Sequence, residues 1–266
     1  MKPRMTFVTL LLFLELTLSV TAGMLGGELP ARLGMAVALT LPLLFLLRAP
    51  EGTPPLAFRV RDRRAWLALL LFPAFVLLSA TISLATGALL TALGLPLTGA
   101  TPMPTVAGAI LLDALLPALC EELLCRGAIF SALRPMGRRT AVLGSALLFG
   151  LMHGSLAQLP YALVAGIALA LLYEFSGSLL LPMLFHFGNN LLSLLVHFGL
   201  APLHFFLALG IATAVTLPVL LLTVRRMGIP APRREAPVGR PLRDFFLSPV
   251  LLYIAIMLTF ILLPAR

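Results

Sequence analysis

Charge is scarce in this chain of 266 residues, of which 11% are charged and 60% are hydrophobic. A soluble domain carries about 25% charged residues, whereas the mean hydropathy here is +1.07. This scarcity excludes an ordinary soluble protein, because only a bilayer could bury so much apolar surface. At about 20 residues per spanning helix, the length allows eight or nine spans. We therefore predict an all-α, polytopic transmembrane helix bundle with about eight or nine spans.

Nine apolar segments predict where these spans lie. The chain divides into N-terminal transmembrane helices (1–104), a helical core expected to be catalytic (105–200) and C-terminal helices (201–266). The last part contains a stretch rich in Pro and Arg, 225–244, which predicts a cytoplasmic linker without a fold of its own. The first segment is longer than the roughly 7–15 apolar residues of a secretory signal, so it is kept as a helix. The predicted spans are 5–22, 30–47, 66–93, 105–133, 140–153, 157–175, 178–198, 202–224 and 245–263.

Lysine is almost absent, since the 19 basic residues comprise 18 arginines and one lysine, and the formal net charge is +9. Such an excess would suit a nucleic-acid-binding protein, but its distribution indicates otherwise. With the N-terminus inside, sixteen of the eighteen basic residues outside the spans fall on the cytoplasmic side, as the positive-inside rule requires. We predict a multi-pass protein of the cell membrane with a cytoplasmic N-terminus and no nucleic-acid partner. The run RVRDRR (59–64) also suits contact with anionic lipid headgroups.

Cysteine and several protease motifs are also sparse or missing. The two cysteines, Cys120 and Cys125, point about 140° apart on one predicted helix and cannot pair within it, so they are read as small buried hydrophobes. The chain has no HExxH, which removes the motif support for a zincin. It has neither GxSxG nor GxGD, so serine and aspartyl intramembrane chemistry lack support as well.

The polar residues of the spans are concentrated between Asp113 and Asn190. Glu15 is the exception, and we read it as a packed or snorkelling residue near a helix interface. Charges inside a bilayer cost about 2.5–3.5 kcal/mol each on insertion scales and commonly mark functional sites. We read Asp113 with Pro117 as a bend in the helix. The polar residues of the segment are Asp113, Glu121, Glu122, Arg126, His153, Gln158, Tyr161, His186, Asn189 and Asn190.

Spacing and depth predict that some of these residues meet. Glu122 and Arg126 are i,i+4 and can pair, while Glu121 is turned about 100° away. His186 and Asn190 share a face of another helix in the same way. From the rise of 1.5 Å per residue, Glu121, His153 and His186 lie about 18, 20 and 12 Å from their cytoplasmic helix ends. One carboxylate and two imidazoles at similar depth predict a shared polar site.

Two chemistries fit this set of side chains. In the first, a Glu and a His together hold and deprotonate a water that attacks a carbonyl, while a second His and an Asn donate hydrogen bonds to the oxyanion. In the second, Glu121, His153 and His186 are three ligands of an open Zn²⁺ site with water as the fourth ligand. The sequence leaves both open.

Two functions other than hydrolysis also remain. A proton-coupled transporter concentrates Glu, His and Asn near the midplane, but it would usually show related halves, and no internal repeat is detectable. A non-proteolytic partner protein, such as an immunity factor, could use the fold for binding alone. In that case the substitution Glu121→Ala or His153→Ala would leave the phenotype unchanged.

Three motifs in order resemble a known protease family. They are EELLCR (121–126) as EExxxR, FGLMH (149–153) as FxxxH and HFGNN (186–190) as HxxxN. On successive helices they resemble the CPBP family (CAAX proteases and bacteriocin-processing enzymes, also called Abi). The resemblance covers roughly residues 113–191. Cys125 is a departure, because an aromatic residue is usual before the Arg.

The resemblance implies a function and a role for each motif residue. It implies an intramembrane endopeptidase that acts on a membrane-associated protein or peptide, with Glu121 activating water beside His153. His186 and Asn190 would stabilise the oxyanion, and Glu122 and Arg126 would shape the site. Descriptions of the family differ over whether a metal ion takes part in catalysis. Some members clip prenylated CAAX proteins, but the short, Arg- and Leu-rich chain favours a bacterial source, for which a prenylated substrate is not expected.

Overall fold

The computed structural model describes residues 2–24, 34, 58–60, 62–97, 105–227 and 239–262. Within these residues the chain forms nine helices and no strand. The second helix begins as a 3₁₀ helix, Arg63–Leu71, and continues as an α-helix, Phe72–Ala92. The helices are α1 (Lys2–Gly23), α2 (Arg63–Ala92), α3 (106–136), α4 (Arg138–Met152), α5 (Leu159–Ser176), α6 (Leu180–His197), α7 (Leu203–Met227), α8 (Gly239–Phe246) and α9 (Val250–Leu262).

The prediction of an all-α, polytopic transmembrane bundle is confirmed. Five helices are long and apolar enough to cross a bilayer, and α9 is a shorter apolar helix. The predicted span 30–47 lies outside the described residues except for residue 34. The spanning segments are Arg4–Thr21, Arg63–Ala92, Leu159–Ser176, Leu180–His197 and His204–Thr223.

Helix α3 is not the single regular helix that the sequence predicted. Thr105 caps its start by accepting a hydrogen bond from the Gly108 amide, and two π-helical stretches, Ile110–Leu115 and Leu123–Phe130, interrupt it. The first π stretch ends just before Pro117, whose ring lacks an N–H and crowds the carbonyl four residues earlier. That carbonyl belongs to Asp113, within the first π-helical stretch, and the bend expected from the proline stays a prediction.

The linker prediction for 225–244 is wrong in part. Helix α7 continues to Met227, and α8 begins at Gly239, inside the stretch predicted to have no fold. The anchor of α8 is Phe245, which is fully buried. A Cβ atom at Gly144 of α4 would lie only 3.0 Å from the Phe245 ring, so the missing side chain at Gly144 makes the space for that ring. This contact lies about 100 residues away in sequence and leaves no local pattern.

Helices α4 and α5 approach each other closely because small residues face each other between them. A Cβ atom at Gly166 would lie 3.1 Å from the Ala146 Cα. Small residues allow such close backbone approach between membrane helices. The close contact brings the backbone of α5 against the middle of α4, and it places the Gly166 carbonyl where a side chain from α3 can reach it.

Candidate active site

Three charged residues enter the bundle from α3 at the point where its geometry changes. Glu121 and Glu122 end the α-helical piece Leu116–Glu122, and Arg126 lies in the π-helical piece that follows. π-Helical turns inside α-helices often occur at functional sites. The side chains of Glu122 and Arg126 are fully buried, while that of Glu121 is 15% exposed.

The closed region of the site consists of Glu122, Arg126, the Gly166 carbonyl and the Nδ1 side of His186. Arg126 Nη1 donates to Glu122 Oε1 at 2.9 Å, which is the predicted i,i+4 pair. Arg126 Nη2 donates to the Gly166 carbonyl at 2.9 Å, and its guanidinium carbon lies 4.5 Å from the centre of the Phe149 ring. A buried charge needs such partners, since an unpaired one costs several kcal/mol.

His186 connects this ion pair to the rest of the site. Its Nδ1 lies 2.9 Å from Glu122 Oε1, the same oxygen that accepts from Arg126. A carboxylate oxygen that already pairs with an arginine is an acceptor, so the His186 Nδ1 carries the proton and donates it. The Nε2 of a neutral His186 ring is then unprotonated and faces away from Glu122, toward Glu121 at 3.9 Å.

His153 is oriented in the same sense by a different partner. Helix α4 ends at Met152, and the left-handed Gly154 follows (φ +61°). The His153 Nδ1 lies 2.8 Å from the Phe149 carbonyl, which can only accept, so this nitrogen also carries the proton. The Nε2 of the neutral ring is thus an acceptor, and it lies 4.0 Å from Glu121 Oε2.

The open region of the site is formed by Glu121 Oε2 and the Nε2 atoms of His153 and His186. Glu121 Oε2 is buried and has no hydrogen-bond partner within the described part of the chain. Glu122 Oε2 and Arg126 Nε of the closed region are also buried and also lack a hydrogen-bond partner among the described residues. Glu121 Oε2 and the two acceptor nitrogens that lie about 4 Å from it need a donor or a cation between them, and a water molecule supplies two hydrogens for that purpose.

Asn190 lies one turn beyond His186 on α6 and lines a cavity of about 390 Å³. Gln158, Tyr161 and Asn189 line the same cavity, together with Ser79 and Ser83 of α2. Tyr161 also packs against His153 with ring centres 6.4 Å apart, so the cavity adjoins the open region. The Asn190 amide makes no side-chain hydrogen bond to any described residue, and its donors are available to a molecule in the cavity.

A divalent metal ion is the other possible occupant of the open region. The donor types fit zinc, and histidines that bind zinc commonly donate from the other ring nitrogen to a carboxylate or carbonyl, as both histidines do here. The spacing is less suited, because Zn–N and Zn–O bonds of about 2.0–2.1 Å place tetrahedral ligand atoms roughly 3.3–3.5 Å apart. No group of three or more His, Cys, Asp or Glu among the described residues is arranged to hold a metal ion.

Two contacts of the site were not predicted from the sequence. The hydrogen bond between Glu122 and His186 joins residues 64 positions apart, and no local pattern reveals it. The Phe149 carbonyl that holds His153 is four residues earlier on the same helix, so its i−4 spacing could have suggested it. The other expected locations agree, since both cysteines are free and buried and Glu15 is buried on α1 beside Ser19.

The comparisons with known proteins agree with the resemblance in the sequence. The family model of type II CAAX prenyl endopeptidases, described as Rce1-like, matches residues 103–192, which is roughly a third of the chain. No curated protein and no solved structure matches the chain. The matched segment contains every motif residue named above, and it confirms the resemblance to the CPBP/CAAX protease family. It supports an intramembrane endopeptidase of the CAAX type in general.

Proposed function

We propose that the protein hydrolyses a peptide bond of a membrane-associated protein or peptide, with a water activated by Glu121 and His153. One observation carries the proposal: Glu121 Oε2 and the Nε2 atoms of both histidines converge within 4.0 Å. Both Nδ1 atoms are engaged elsewhere, so this arrangement leaves acceptors, and not donors, pointing at the place where a water would bind.

The first step transfers a proton from the water to Glu121. The water donates one hydrogen to Glu121 Oε2 and the other to His153 Nε2, which orients a lone pair of its oxygen toward the substrate. As Glu121 takes the proton, the water oxygen bonds to the scissile carbonyl carbon, and the π electron pair moves onto the carbonyl oxygen. General-base catalysis of this kind contributes about 10²–10⁴-fold.

The oxyanion that results accepts hydrogen bonds from His186 and Asn190. Asn190 donates from its amide nitrogen. His186 donates from Nε2 only after that nitrogen has taken up a proton from solvent, which makes the ring an imidazolium, and the Glu122 carboxylate beside Nδ1 compensates its positive charge. Donors aimed at a developing oxyanion are worth about 10²–10³-fold each.

The second step breaks the carbon–nitrogen bond. The oxyanion re-forms the carbonyl, the bonding pair stays with the leaving nitrogen, and Glu121 returns its proton to that nitrogen. The products are a carboxylic acid and an amine, and Glu121 ends as it began. Glu122 and Arg126 touch no reacting atom and act as positioning residues for His186.

If zinc takes part, Glu121, His153 and His186 would hold it. When bound, it supplies Lewis-acid polarisation and a more acidic water. The roles of Asn190, and of Glu122 and Arg126 in fixing the position of His186, stay the same with or without it.

The test is cleavage by the purified chain in liposomes that contain a library of membrane-anchored and lipidated peptides, with products identified by mass spectrometry. Wild type should cut, and Glu121→Gln and His186→Gln should lose about 10²-fold or more. His197→Gln is the matched control, because His197 ends the same helix and is exposed. Equal cleavage by wild type and Glu121→Gln would contradict the mechanism, and a chelator arm decides the metal.

A further inference from the structure

A second cavity lies between five helices and belongs to no part of the proposed active site. Its volume is about 430 Å³, within the range of about 300–1,000 Å³ that ligand pockets commonly have. We call it the arginine groove, and it is defined by Arg64, Phe75, Arg138, Phe175, Phe185 and Leu220.

Most of the groove wall is apolar. Phe75 and Phe185 are buried and pack edge to face with ring centres 5.6 Å apart. Phe175 and Leu171, on the α5 wall, are 51% and 39% exposed. Exposed aromatic and aliphatic side chains on a membrane helix contact hydrocarbon, so this wall suits an acyl chain.

The groove also contains two cations at helix starts. Arg138 is the first residue of α4 and Arg64 the second residue of α2, while Phe75 lies eleven residues further along α2. Neither guanidinium has a side-chain hydrogen bond or ion pair with any described residue. Arg64 lies at the start of the spanning segment Arg63–Ala92 and therefore at the membrane surface, and Arg138 lines the same groove. Phosphate groups are found at that surface, where a guanidinium binds phosphate through two parallel hydrogen bonds.

We propose that the arginine groove binds an anionic phospholipid, with the headgroup phosphate between Arg64 and Arg138 and one acyl chain along Phe75, Phe175 and Leu220. The occupant is a lipid because the groove combines an apolar wall with two arginines that have no side-chain partner among the described residues. A zwitterionic lipid would fill the wall equally well, but it carries an ammonium group that two arginines disfavour. The cationic run 59–64 alone would attract anionic lipid without a built site.

The chain contains a probe for this site, since its one tryptophan, Trp66, lies between Arg64 and the groove residue Leu67 and is 39% exposed. The full-length protein is reconstituted in phosphatidylcholine with increasing fractions of brominated phosphatidylglycerol or brominated phosphatidylcholine. Bromine quenches tryptophan at short range, so the two titrations give the relative binding of the lipids beside Trp66. We expect a preference of about fivefold or more for phosphatidylglycerol, since one basic residue at an anionic surface contributes a factor of about five.

Two pairs of substitutions separate a built site from general attraction. Arg64→Gln with Arg138→Gln should reduce the preference to about one. Arg63→Gln with Arg139→Gln should retain it, because these neighbours carry the same charge but do not line the groove. If both pairs lose the preference equally, or if wild type has none, the proposal is wrong.

The proposed position of the acyl chain is tested by filling the arginine groove with a larger side chain. Ala168 lines it, so Ala168→Phe should lower the phosphatidylglycerol preference at least twofold with all four arginines in place. Ala168→Leu is the milder substitution for the case in which Phe prevents folding, which circular dichroism would show. An unchanged preference in the folded variant would show attraction of the headgroup only and would overturn the proposed site. None of these measurements requires peptidase activity, so their outcome is independent of the proposed function.

Discussion

Glu121 and Glu122 are neighbours in sequence, yet they belong to regions of opposite character. In the closed region, Glu122 is fully buried and one of its oxygens accepts from both Arg126 and His186. In the open region, Glu121 Oε2 faces the acceptor nitrogens of two histidines at 3.9 and 4.0 Å and has no hydrogen-bond partner among the described residues.

This difference shows how a helix can place a charge in a membrane for two separate purposes. A turn of about 100° per residue directs the Glu122 carboxylate to Arg126 and the Glu121 carboxylate to the two histidines. The closed region compensates charge and fixes the position of His186, although Glu122 Oε2 and Arg126 Nε have no hydrogen-bond partner among the described residues. The open region instead directs Glu121 Oε2 toward two acceptor nitrogens, between which a water can bind. Substitutions in the closed region should therefore change stability, and those in the open region should change catalysis.

The largest effect is expected at the open region. Glu121→Gln keeps the shape of the side chain but removes the base, so the cleavage rate should fall by about 10²–10⁴-fold. The free energy of unfolding should change little, because no hydrogen bond within the described chain is lost. Initial rates in liposomes measure the change in cleavage, and unfolding midpoints in detergent measure the change in stability. A large loss of stability would contradict the division between the regions.

Arg126→Met should mainly lower the free energy of unfolding. It leaves the buried Glu122 carboxylate without its arginine, and such a break costs about 3–5 kcal/mol of stability. The double variant Glu122→Gln with Arg126→Met should recover much of this loss, because no uncompensated charge remains. Denaturation in detergent provides the comparison. Equal stability of the single and the double variant would show that Glu122 does not depend on Arg126 for charge compensation.

The closed region also shows what could be predicted from the sequence. The pair of Glu122 and Arg126 follows from i,i+4 spacing, and the spans of α5 and α6 were placed within two residues of their observed ends. The bond between Glu122 and His186 could not be predicted, because it depends on how α3 and α6 pack. Helix α8 was missed for the same reason, since the space for Phe245 is made by Gly144.

Asn190→Ala tests whether the open region extends along α6. Loss of one oxyanion donor should lower kcat by about 10²–10³-fold with little change in KM. Asn189→Ala is the matched control, because Asn189 lines the same cavity but is turned about 100° from Asn190 around the helix, and it should change KM more than kcat. Steady-state kinetics on one cleaved peptide distinguish the two. Equal losses of kcat would indicate a general effect on the cavity.

The smallest effect is expected at an ion pair that has the geometry of the closed region without its burial. Arg134 Nε donates to Glu174 Oε2 at 2.8 Å and Arg134 Nη2 donates to Oε1 at 2.6 Å, but the two side chains are 38% and 18% exposed. Water already solvates both charges there, so exposed pairs contribute only about 0.2–1 kcal/mol. Arg134→Gln should therefore cost about 1 kcal/mol or less and leave cleavage unchanged. A double-mutant cycle with Glu174→Gln isolates the pair. If the coupling energy of Arg134 and Glu174 equals that of Glu122 and Arg126, then bidentate geometry, and not burial, determines how much an ion pair stabilises this protein.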